Sequence, residues 1–192
     1  MNNGTLAMLD QAELFQLALN ASANGDSAST IAYLKEAVAR SDASAHAHYL
    51  LGAEYAQIKL YTRAIDEMEA ALAIDPGLAA ARLQLAMLWL GQNDGARAAV
   101  VLGPLQALGE DEALRHFGQG LELLIGGDNA GAIASLERGI ALNVAIPPLN
   151  GDMQRIIAEV QALSQAPQEG AAAADEGGQH ILLSAYSGNQ QS

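Results

Sequence analysis

The side chains of this chain that could do acid–base or metal chemistry are four histidines and twenty-two carboxylates, and there is no cysteine among its 192 residues. The missing cysteine removes a thiolate nucleophile, a cysteine-ligated zinc site and a disulfide frame. His46 and His48 stand two residues apart, which on a helix turns them to different faces, whereas a helical metal pair needs a spacing of four. His48 and His116 fall at one phase of the repeat described below, the pattern of a bulky packing position and not of a ligand set. Asp66, Glu67 and Glu69 with Arg63 read as a solvated helix face. No phosphate-binding glycine loop, serine elbow or paired-carboxylate constellation stands out. The sequence therefore predicts no enzyme, no cofactor and no metal.

The bulk composition narrows the class further. Twenty-two acidic against nine basic side chains give a formal net charge of −13, which repels phosphate backbones and anionic membrane surfaces. Nucleic acid is excluded as a partner on that ground, and the acidity reads as a means of solubility. No apolar run approaches the ~20 residues of a membrane span. The first residues, MNNGTLAMLDQAELF, have no basic leader and carry Asp10 and Glu13 early, unlike a secretion signal. A cytoplasmic protein is expected. Hydrophobic residues make up 51% of the chain and aromatics only 4%, which favours closely packed helices over a β-sandwich.

These helices should come in pairs. Displacing the sequence by 34 residues brings Ala18, Gly52, Ala86 and Gly120 into register. Twelve residues after each comes Thr30, Ala64, Ala98 or Ala132, and four further on Leu34, Met68, Leu102 or Leu136. Two antiparallel helices about 8–10 Å apart need small side chains where their axes approach and aliphatics on the flanks. A period of this length signals stacked helical hairpins.

The segment from Ala45 to Leu78 resembles the tetratricopeptide repeat: Leu51, Gly52, Tyr55, Ala64, Ala71 and Pro76 occupy that family's signature positions, and His48 stands where its tryptophan usually does. The same phase gives units at 11–44, 45–78, 79–112 and 113–146, after a leader at 1–10. Departures are Thr30 for alanine, Leu105 for a small residue and Gln119 for leucine. The resemblance implies an all-α, right-handed α-solenoid (superhelix) of four helix-turn-helix repeats with a capping helix.

Local signals agree with the register. Turns fall at Asn24–Asp26, Gln92–Gly95 and Gly126–Asn129, each a helix stop followed by an aspartate cap. Asp10 with Glu13 makes an acidic capping box, and Leu9 and Leu14 occupy the staple positions, so the first helix should start near Gln11. Gly103 and Pro104 should kink or split the second helix of the third unit. Pro147 and Pro148 end the array, and from about Asp152 a helix with Met153, Ile156, Ile157, Val160 and Leu163 on one face should cover its open end, the whole cap spanning 147–164. Residues 165–179 are too polar, small and glycine-rich to pack and read as a flexible linker. Apolar residues return in the tail, 180–192.

In the family, the first helix of each pair lines a concave groove, which here implies a peptide-binding set of Phe15, Leu19, Tyr49, Leu83, Met87, Leu90, Phe117, Leu121 and Leu124. That is an apolar trough, and leaving it wet would be costly. Relatives that grip a chaperone's C-terminal carboxylate place lysine and asparagine where Phe15 and Leu19 stand, so that role is not implied. The trough more closely resembles the acidic tetratricopeptide chaperones of type III secretion systems, which hold hydrophobic clients. The expected function is a protein-interaction module, as scaffold, adaptor or assembly chaperone, for a partner with an apolar segment. Ile181, Leu182, Leu183 and Tyr186 are candidate occupants from the chain itself, which would make it self-associating or self-plugged.

Overall fold

The computed structural model describes Leu6 and residues 8–165. Among these there are α-helices and one 3-10 helix but no strand. They divide into two compact units, one reaching to Gln84 and the other beginning at Leu85.

The first unit contains α1 (Gln11–Ala23), α2 (Ser27–Val38), α3 (Ala45–Gln57) and α4 (Tyr61–Ile74), with neighbours in sequence packed as antiparallel partners. The helix α5 (Ala79–Gly91) begins in this unit and ends in the second. The second unit continues with α6 (Gly95–Leu102), the 3-10 turn η1 (Gly103–Ala107), α7 (Ala113–Ile125), α8 (Asn129–Leu142) and α9 (Pro147–Gln165).

The helix starts follow from side-chain caps. Asp10 accepts from the Glu13 amide at 2.8 Å while Glu13 accepts from the Asp10 amide at 2.8 Å, so α1 opens with the capping box read from the sequence. Asp26, Asp94 and Asp128 each accept from the amide three residues on, opening α2, α6 and α8. Just before each lies a residue with positive φ: Gly25, Asn93 and Gly127, joined by Lys59 at the fourth turn. These four are 34 apart in succession, so the backbone keeps the period even where the sequence does not.

Packing keeps it too. Ala18, Gly52, Ala86 and Gly120, the small residues twelve positions on, and Leu34, Met68, Leu102 and Leu136 are all buried. The reason is close approach: a Cβ built on Gly52 would meet the Ala64 carbonyl oxygen at 3.1 Å and Met68 at 3.1 Å. One built on Gly120 would meet Leu136 at 2.6 Å and the Ala132 oxygen at 3.2 Å. In each pair the glycine faces the residues twelve and sixteen positions later. Leu105, the large residue at a small position, is buried at 1% exposure because Gly118 makes room, a Cβ there lying 2.9 Å from Leu105 Cδ1.

Proline acts differently at two places. Gly103 and Pro104 do end α6 at Leu102 and pass the chain into η1. Pro147 and Pro148, by contrast, start α9 and do not precede it, so that helix begins five residues before Asp152. Proline's fixed φ suits a first helical turn, where its missing amide leaves no bond unmade. Met153, Ile156, Ile157 and Val160 are buried, and α9 packs on α8; Leu163 is 49% exposed and falls off the buried face. Among the described residues no helix is long and apolar enough to cross a membrane.

Candidate functional site

The residues at the family's groove positions separate by burial. In the first unit, Phe15 and Tyr49 are half-buried and Leu19 is 38% exposed. Leu83 is fully buried, as are Phe117 and Leu121 in the second unit, while Met87, Leu90 and Leu124 expose less than a tenth of their surface. The expectation of an open trough through all four units is corrected to this extent: six of the nine side chains lie inside, and a partner finds only Phe15, Leu19 and Tyr49 at the surface. At Phe117 the cause is visible, because its ring packs on the bare backbone of Gly139 in α8. A hydrophobic position in a two-helix repeat serves either a groove or a core, and periodicity alone does not separate the two. Ile181, Leu182, Leu183 and Tyr186 lie outside the described residues.

Around the accessible three, polar contacts fix the helices. Gln84 Nε2 donates to Tyr49 Oη at 3.1 Å, holding the phenol in place. Burial pushes the Tyr49 hydroxyl above the usual tyrosine range, so it stays a neutral donor and acceptor at physiological pH. Ser22 Oγ, near the end of α1, donates to Glu54 Oε1 of α3 at 3.3 Å. Glu54 is 6% exposed, and its second oxygen has no partner among the described residues. Glu122 has the same repeat phase and accepts from Gln106 Nε2 at 2.7 Å, so in each unit this carboxylate ties a first helix to the hairpin before it.

Two of the histidines singled out in the sequence make hydrogen bonds within the fold. His48 Nδ1 lies 2.7 Å from Glu67 Oε2, with both side chains largely covered, and so joins α3 to α4. The tryptophan-like position is therefore filled by a packing imidazole, but Glu67 leaves the solvated face predicted for it; Asp66 and Glu69 remain exposed. His116 Nε2 donates to the Glu110 carbonyl at 2.7 Å. Among the described residues no group of three or more His, Asp or Glu could hold a metal ion. The Glu54 and His48 contacts were missed from sequence; their only signals were a carboxylate recurring at one phase and a histidine at a bulky one.

Helix pairs with small-residue contacts every 34 positions define a helical-repeat protein of the interaction type. The tetratricopeptide repeat family matches residues 15–79 and 117–178, about two thirds of the chain, and the chain belongs to that family. Its fold is accordingly the family's α-solenoid, and its class is a protein–protein interaction scaffold, a family generally without enzymatic activity. No curated protein matches it significantly. Among solved structures, "Crystal structure of MamA" is similar at 20% identity and a TM-score of 0.58, covering 69% of this chain and 78% of that one. MamA 41-end from Desulfovibrio magneticus RS-1 is similar at 18% identity and 0.59, covering 82% and 87%, and the MamA RS-1 ArsTM double mutant at 16% and 0.59, covering 94% and 95%. At such identities these likenesses establish the fold.

Proposed function

We propose that this chain is a cytoplasmic, non-enzymatic scaffold that holds an apolar segment of a partner polypeptide against Phe15, Leu19 and Tyr49. The observation that carries the reading is that these three are the family groove positions left accessible, with a large aliphatic side chain, Leu19, at 38% exposure on a helix whose other face is packed. The hydrophobic gain on covering such side chains, roughly 1.5–3 kcal/mol each when fully buried, supplies the affinity. Tyr49 adds a directional element: its hydroxyl, already accepting from Gln84, has a proton to donate to a peptide carbonyl. Leu83, Met87, Leu90, Phe117, Leu121 and Leu124 are buried and form no part of this surface.

The test is selection of binders from a random peptide library against the folded chain. The reading expects peptides rich in leucine, isoleucine and aromatic residues, bound at least about tenfold more weakly by Leu19→Glu, since losing one buried aliphatic contact is worth more than 1.4 kcal/mol. Selected peptides that bind Leu19→Glu and Phe15→Ala as tightly as wild type would remove the surface from consideration.

A further inference from the structure

The apolar stripe of α1 ends in a polar pair. Phe15, Leu19 and Ser22 follow one another at spacings of four and three, so they lie along one face of the helix with neighbouring Cβ atoms about 5–6 Å apart. Ser22 is exposed, and its hydroxyl donates to Glu54 Oε1 of α3 at 3.3 Å, longer than the ~2.5–3.0 Å of an ordinary hydroxyl–oxygen bond. Glu54 Oε2 has no partner among the described residues, although the residue is only 6% exposed. All four residues belong to the first unit.

The repeat shows what this carboxylate lacks. Glu122 stands at its phase in the second unit and is satisfied by Gln106 Nε2 at 2.7 Å, a donor from the hairpin before it. Two repeat periods ahead of Gln106 stands Val38, which offers Glu54 no side-chain donor. No lysine, arginine or histidine among the described residues pairs with Glu54 either. A buried acceptor left unfilled costs stability, most of all when it is charged, and no contact of Glu54 in the described fold offsets that cost. The long bond from an exposed serine is the contact that a ligand can displace, because the hydroxyl turns among its staggered rotamers.

We propose that Glu54 anchors a lysine or arginine of the bound polypeptide, its Oε2 receiving the cationic N–H group while an apolar residue of the same polypeptide covers Leu19. The inference rests on the reading of Phe15, Leu19 and Tyr49 as the docking surface and adds the charge which that surface selects. An ionised carboxylate only accepts, so a donor is what fills it, and a cationic donor makes the strong, charge-assisted form of the bond. A neutral amide would fill the oxygen and leave the charge uncompensated. Lysine and arginine also lay their methylene stems along apolar surface, so one such side chain can cross the aliphatic end of the stripe and place its head at the carboxylate. A chain of net charge −13 draws cationic segments in and turns acidic ones away.

The test selects a random peptide library in parallel on the full chain and on its Glu54→Gln variant. That change is nearly isosteric and removes one of twenty-two carboxylates, which leaves the general pull of an acidic protein on cations in place. Wild type should enrich lysine or arginine at a fixed spacing from a leucine, isoleucine or aromatic residue, whereas Glu54→Gln should keep the apolar preference and lose the basic one. Individual peptides selected on wild type should bind Glu54→Gln roughly tenfold more weakly, the worth of a bond to a charged group. Ser22→Lys, a change at an exposed position, sets an ammonium beside the carboxylate from within the chain and should weaken the same peptides to a similar extent. Apolar peptides with no basic enrichment, or undiminished binding by either variant, would overturn the anchor and leave the docking surface standing. A selection without apolar peptides would remove the docking surface and the anchor with it.

Discussion

The ring of Phe117 rests on the backbone of Gly139, and a Cβ built on that glycine would come within 2.5 Å of the ring's Cε1. An aromatic ring in a close-packed interior does not give way as a flexible side-chain end does. Gly139→Ala should therefore destabilise the second unit by about 1–3 kcal/mol, overpacking outweighing alanine's better helix propensity. Gly151 in α9 is the control: it has nothing within 4 Å of a built Cβ, so Gly151→Ala should stabilise by roughly 0.5–1 kcal/mol. Urea unfolding of the two variants decides; equal effects would contradict the packing.

Lys59 holds the same left-handed conformation as Gly25 and Gly127. A side chain there costs roughly 1 kcal/mol more than glycine does, part of which glycine gives back as entropy of the unfolded chain. Lys59→Gly is expected to raise stability by about 0.5–1 kcal/mol, read from the shift in unfolding midpoint. Loss of stability would mean that the lysine side chain makes a contact that matters more than its backbone.

Much of this was legible because small residues and turn chemistry are local. Ala18, Gly52, Ala86 and Gly120 announce close approach wherever they recur, and Asp26, Asp94 and Asp128 each sit at a helix start for a reason contained within four residues. The Ile58-Lys59-Leu60 turn was not readable in that way, because there the register is imposed by packing on either side and the turn residues do not support it. The apolar first-helix positions were ambiguous for another reason. Leu19 and Leu121 occupy one repeat phase, yet one is 38% exposed and the other fully buried, a difference decided by what packs over each helix. Similarly, the pairing of His48 with Glu67 depends on two helix faces meeting and has no spacing rule to reveal it.

Acid should act on α2 through Asp26. Hydrogen bonds donated by Ser29, from its hydroxyl first and from its backbone amide next, hold the Asp26 carboxyl below the usual 3.8. A depressed folded value means that the ionised carboxylate contributes stability above pH 3.8, and that this contribution is lost as the pH falls through the folded value. Asp26→Asn keeps an acceptor at the cap but removes the charge. The variant should be less stable than wild type at pH 7, and the gap should close on acidification below the carboxylate range. Urea midpoints for both proteins at neutral and strongly acid pH measure it, and a gap that stays constant with pH would assign the effect to cap geometry and not to charge.

Leu105 and Gly118 form a compensated pair: the repeat's small position has become leucine and the facing residue has become glycine, with a built Cβ only 2.9 Å from Leu105 Cδ1. Gly118→Ala alone should cost about 1–3 kcal/mol by overpacking. Leu105→Ala alone opens a cavity at a side chain only 1% exposed and should cost about 2–5 kcal/mol. In the double variant the new methyl partly fills the space that the leucine leaves. Its cost should fall below the sum of the two single effects by at least about 1 kcal/mol, the coupling expected of residues in direct contact. A double-mutant cycle by urea denaturation measures that difference, and simple additivity would mean that the glycine at 118 answers to some neighbour other than Leu105.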